Sequence, residues 1–150
     1  MPAFQKGARL SSAKLKRKKF LLPELGDDCF IFLRTLTAKE IFGWQAKEDA
    51  IRKQVVADAE VRGETLTDKE IVKRVSDYKE LDGFVLIAIA AVDETGQQIF
   101  AEEKDAEGRV IKTAAQDAKD NLDIGFNTLL AMVREIYEIS GMDAEQREKN

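Results

Sequence analysis

Side chains able to do chemistry are few in this sequence, and their spacing narrows them further. The chain has no histidine and a single cysteine, Cys29. The commonest general base, metal ligand and near-neutral proton switch is therefore missing. Ser-His and Cys-His nucleophile pairs, the HExxH helix and the histidine-containing zinc sites are excluded with it. No two glycines stand closer than Gly96 and Gly108, and no CxxC occurs. That spacing excludes a GxGxxG turn and a P-loop. Asp117, Asp120 and Asp123 recur at helical spacing, without the glycine and closing glutamate of a calcium loop. A solvated helix face is the simpler reading. Asp27-Asp28 follows Gly26 and reads as turn chemistry. Cys29 falls in an apolar strand, where a thiol is usually an inert core atom. A carboxylate-pair hydrolase is chemically allowed. Yet no pair of acids stands in the apolar context that would raise a pKa. We therefore expect no catalytic residue, no metal and no cofactor.

The elements around these residues are those of one folded domain. The chain has 150 residues, 44% apolar and 35% charged. One thiol cannot form an internal bridge, which argues against a disulfide-stapled secreted scaffold. The longest apolar run, 84–92, is too short for a membrane helix of roughly 20 residues, and no membrane partner is expected. After the basic cluster, only Phe20 to Leu22 are consecutively apolar before Pro23, too short for a signal peptide's apolar core.

The net charge of −4 conceals an asymmetry. Residues 1–19 hold 7 basic side chains and no acid, so the remainder carries 17 basic and 28 acidic ones, a balance of −11. Residues 1–19 read as a flexible basic arm, with Lys14, Lys16, Arg17, Lys18 and Lys19 as its dense end. A solvated tail lying on its own acidic body is the simple account, and contact with nucleic acid is the sharper one. The globular domain is placed at 20–141 and a polar, fraying tail at 142–150.

Phe20 to Leu25 and Cys29 to Leu36 flank Gly26-Asp27-Asp28, which reads as a β-hairpin. Pro23 cannot donate to a ladder, so its strand belongs at an edge or the pairing breaks there. Thr37 and Glu40 form a capping-box pattern, and Ile41, Trp44, Ile51, Val55 and Ala59 follow at helical spacing up to a stop at Gly63. Thr67 and Glu70 repeat the pattern ahead of a second helix that becomes apolar all round over 84–92, with Gly83 requiring either a close neighbour or a break. Asp93 to Gly96 and Asp105 to Gly108 mark turns in a short β or loop insertion. A third helical region runs from Thr113 to Gly141. The fold class is thus α+β, mainly α: an N-terminal hairpin, then about three amphipathic helices with a short insertion.

Three segments in this order carry a resemblance. FLLPELGDDCFIFLRTLTAKE is a hairpin leading into a capped helix. LDGFVLIAIAAVDETGQQIF is an apolar helix entering a VDE-x-G turn with an apolar-Phe end. DAKDNLDIGFNTLLAMVREIYEISGM is an amphipathic helix closed by Ser-Gly-Met. A short polar tail follows. Together they resemble the tail assembly chaperones of long-tailed bacteriophages with non-contractile tails, over about residues 18–142. The resemblance implies a protein that is not an enzyme and that binds the tape measure protein, a very long, largely helical chain prone to aggregation. Such a chaperone keeps that chain soluble until tube subunits polymerise around it, works in the host bacterial cytoplasm and is absent from the finished virion. Many members also exist as a longer, frameshifted form whose added domain recruits the tail tube protein, and this chain would correspond to the shorter form. The basic arm before Phe20 has no match in the pattern.

Binding a helical client requires exposed apolar surface rather than a polar pocket. Phe42 and Val56 in the first helix, and Phe126, Leu130 and Met132 in the last, lie beyond one tidy stripe and are the candidate partner-binding residues, with a broad core as the simple account. Trp44 joins them, although its place on the apolar stripe suits the core first. A homo-oligomer would use the same surface. Two rivals differ in class: a structural tail or head–tail joining protein, and a nucleic-acid-binding regulator using the basic arm, which ranks last.

Overall fold

A computed structural model describes residues 3–8, 10 and 14–142. Among these the chain forms an α+β structure, mainly α, opened by an antiparallel hairpin. Strands β1 (Arg17–Leu21) and β2 (Phe30–Arg34) pair with Arg17 opposite Arg34 and Leu21 opposite Phe30. Alternation sends Ile31 and Leu33 into the core and turns Phe30, Phe32 and Arg34 to the other face. Pro23 opens a single 3-10 turn, Pro23–Leu25, so β1 ends before it, and β1 is also the sheet edge.

The hairpin begins earlier than the sequence suggested. Arg17, Lys18 and Lys19 are strand residues rather than part of a loose arm. A run of three cations is compatible with a strand because alternation separates them: Arg17 and Lys19 rise over aromatic rings on one face, and Lys18 reaches Glu135 on the other. Lys14 and Lys16 precede the strand and are exposed. Residues 1–2, 9 and 11–13 of the expected arm, and 143–150 of the expected tail, lie outside the described residues.

Helix α1 (Ala38–Val61) starts on the expected capping box, complete in both directions. Glu40 N–H donates to the Thr37 hydroxyl at 3.2 Å, and Thr37 N–H donates to the Glu40 carboxylate at 2.9 Å. The Arg34 guanidinium adds a two-pronged bond to the same carboxylate, both contacts at 2.8 Å. Burial pushes the Glu40 carboxyl up, but Arg34 and the Thr37 N–H outweigh it and hold it below the usual carboxylate range. This node ties the last residue of β2 to the first turn of α1. Over its 24 residues α1 buries only Trp44, Val55 and Ala59. Helix α2 (Asp68–Ser76) folds back along it, and Val55, Ala59 and Val75 are buried outside the central cluster.

The two later helical regions are each divided. After α2 a 3-10 turn, Lys79–Leu81, intervenes, and the Asp82 carboxylate accepts the Phe84 N–H at 2.9 Å to start α3 (Gly83–Ala90) afresh. Gly83 meets both conditions set for it: the helix breaks there, and a neighbour packs close. A Cβ on Gly83 would lie 2.9 Å from Val133 Cγ2. The third region splits into α4 (Ala114–Asn121) and α5 (Phe126–Ile139) because Leu122 turns into the core and ends the first piece. Among the described residues five α-helices thus stand where about three were expected. Apolar α3 runs through the centre, with Leu86, Ile87 and Ala90 fully buried against Leu33, Met132 and Ile136.

Strand β3 (Ala91–Val92) continues directly from α3 and pairs with β2. The insertion follows as two turns of one design. The Asp93 carboxylate accepts N–H groups from Thr95 and Gln97, and the Asp105 carboxylate accepts those of Glu107 and Arg109. Each turn closes on a glycine of positive φ, Gly96 and Gly108. The second joins β4 (Glu103–Lys104) to β5 (Val110–Lys112).

Candidate partner-binding surface

The six apolar candidates separate into three environments. Met132 is 0% and Trp44 6% exposed, so neither offers surface to a partner. Met132 lies on the α5 face that packs on α3, and Trp44 turns inward one and a half turns from the α1 start. Both are core residues, which corrects the partner-binding expectation for Met132 and leaves Trp44 with its first reading, the core. Val56 is half-buried beside a small groove that Ala59, Leu66 and Ile71 line between α1 and α2. Phe42, Phe126 and Leu130 stand out in solvent, at 68%, 71% and 44% exposure.

These exposed residues do not form one patch. Phe126 and Leu130 are four apart on α5 and share one face. Phe42 belongs to the other end of the helix, because Trp44 Nε1–H donates to the Tyr137 hydroxyl near the end of α5. Phe126 and Tyr137 are separated by about 16 Å along the axis at 1.5 Å per residue.

Glu24 reaches the start of α5. Its carboxylate accepts the backbone N–H of Gly125 and the hydroxyl of Thr128. Gly125, the N-cap of α5, makes no side-chain cap, and its own N–H is taken up by a residue 101 positions away. The Thr128 hydroxyl and the Gly125 N–H hold the Glu24 carboxyl below its ordinary range. Leu25, next to Glu24 in the chain, is itself exposed. Leu25 was not singled out in the sequence, where a leucine before a glycine turn looks like the end of a buried strand.

A second apolar feature lies between α3 and α4. Phe84, Val85 and Ile89 face Ala114 and Ala115 across a groove of 580 Å³, with Lys79 and Lys119 at its rim. The two alanines leave the space that larger side chains would fill. The Asp117 and Asp120 carboxylates on α4 share the Lys112 ammonium, at 3.8 and 3.0 Å. Among the described residues no group of three or more His, Cys, Asp or Glu side chains is placed to hold a metal ion. No helix among them is long and apolar enough to cross a membrane.

Three of the five cations at the dense end of the basic run have a neighbour within reach. Lys18 Nζ lies 2.6 Å from Glu135 Oε1, and this bond raises its pKa. The Arg17 guanidinium stands 5.7 Å from the Phe32 ring centroid, and the Lys19 ammonium 4.1 Å from that of Phe30. Comparison of the chain with known protein families, curated proteins and solved structures finds no match.

Proposed function

We propose that this chain is a non-enzymatic binding protein, the tail assembly chaperone of a long-tailed bacteriophage, with the tape measure protein as its client. The observation that carries the reading is the exposed apolar face at the start of α5, where Phe126 and Leu130 stand one turn apart on the same side of the helix. Large apolar side chains fixed on a rigid helix suit the apolar stripe of an amphipathic client helix. The groove between α3 and α4 offers a second seat for an apolar anchor. The order of segments that resembles the chaperone family supports the assignment to a client. In this reading the protein acts in the host cytoplasm, is left out of the finished virion, and recruits tube subunits through a longer form.

Co-expression tests it. A tape measure fragment that is insoluble alone should become soluble and co-purify with this chain. A fragment that stays insoluble beside abundant, folded protein overturns the reading. Detection of the chain in purified particles by mass spectrometry would instead favour a structural tail or head–tail joining protein. The regulator reading is less well supported, since Lys18 in the middle of the basic run is already paired with Glu135.

A further inference from the structure

Strand β1 is the edge of the three-stranded sheet, and no strand among the described residues pairs with its outer side. The phase of the ladder says which groups that side presents. Leu22 N–H donates to the Cys29 carbonyl and Thr35 N–H to the Lys16 carbonyl, both at 2.9 Å. Hydrogen-bonded positions alternate with unbonded ones in an antiparallel pair. Lys18 and Phe20 therefore turn their backbone groups to β2, and Arg17, Lys19 and Leu21 turn theirs to the open edge.

The same three residues put their side chains on the outer sheet face. There Phe30 and Phe32 meet edge to face at 5.4 Å and form a platform under Lys19 and Arg17. No carboxylate occurs in the sequence before Glu24. The edge thus combines backbone donors and acceptors that no strand among the described residues pairs with, two cations and one apolar side chain, Leu21.

We propose that β1 is a docking edge for an extended acidic segment of another protein, added as a fourth strand. Its carboxylates would lie beside Arg17 and Lys19, and an apolar side chain beside Leu21. A second copy of this chain would set the basic run against itself, which like-charge repulsion disfavours. Nucleic acid brings phosphate acceptors but no row of donors for the outward carbonyls. An acidic strand satisfies both sets. This inference is independent of the tape measure reading.

The test is titration of the full chain with a short, blocked peptide of alternating Glu and Val. The matching Lys-for-Glu peptide and a single-stranded oligothymidylate are the controls. The Glu peptide alone should bind, with hydrogen-exchange protection gained at the amides of Arg17, Lys19 and Leu21. Lys19→Pro removes an outward N–H without touching the ladder to β2, and should weaken binding about tenfold. Lys19→Gln retains that N–H and should lose only about threefold. Arg17→Pro, at the first strand residue, repeats the test should the first variant fail to fold. The proposal is overturned if the Glu peptide does not bind, if protection falls elsewhere, if both proline variants bind like the parent, or if the oligonucleotide binds as tightly as the peptide.

Discussion

The indole N–H of Trp44 donates to the hydroxyl oxygen of Tyr137 across 3.1 Å, fastening the first turns of α1 to the last turn of α5. Residues 93 positions apart are joined at a point where α1 otherwise buries little. The bond helps decide where the long helix pair α1–α2 stands relative to the core. Tyr137→Phe leaves a buried indole donor unpaired and should cost about 1–2 kcal/mol of stability. Trp44 is the only tryptophan, so its fluorescence in a urea titration reads the loss directly.

The close approach of Gly83 to Val133 gives a second prediction with an unusual sign. In an open helix, replacing glycine by alanine stabilises by about 1 kcal/mol. Here the new methyl would meet Val133 Cγ2, which a β-branched side chain cannot easily withdraw. Gly83→Ala should therefore destabilise by about 1–3 kcal/mol. Adding Val133→Ala should recover part of that loss, a coupling that a double-mutant cycle on denaturation midpoints would measure.

These relationships mark how far the sequence could be read. Period-two alternation in the hairpin, the Thr37–Glu40 box and the Asp93 and Asp105 turns are local, and local rules place them. The helix break at Leu122 is not local. At Gly83 the sequence leaves a break and a close neighbour as alternatives, and only the packing on α5 shows that both hold, while the Gly125 N–H at the start of α5 finds its acceptor on the distant Glu24. Long apolar runs also hide which side faces out. Met132 and Leu130 are two apart on one helix, and only packing against α3 makes one core and the other surface. The basic run at 17–19 read as an arm because charge dominates its composition, whereas its alternation is that of a strand.

Acid should weaken the fold where carboxylates are held low, Glu24 and Glu40 among them. Glu24 and Glu40 both have carboxyls held below the ordinary range in the folded protein. Such groups contribute stability that is fully present above the unfolded value of about 4.3 and is lost as pH falls through the lower folded value. Denaturation midpoints of the parent should fall as pH drops below about 4. Glu40→Gln should be less stable at neutral pH and show a flatter pH dependence. An unchanged slope would remove Glu40 from this account.

The face at the start of α5 should be dispensable for folding. Phe126 and Leu130 contribute little burial, so Phe126→Ser and Leu130→Ser should each change stability by no more than about 0.5 kcal/mol. Thermal melts would check it.

That neutrality makes the double variant the sharpest probe of the chaperone reading. The measurement is co-purification of a tape measure fragment with the parent chain and with Phe126→Ser/Leu130→Ser, after equal folding has been confirmed by circular dichroism. The account predicts that the parent retains the fragment in solution and that the folded double variant loses it to the pellet. A double variant that holds the fragment as well as the parent does would contradict the assignment of this face.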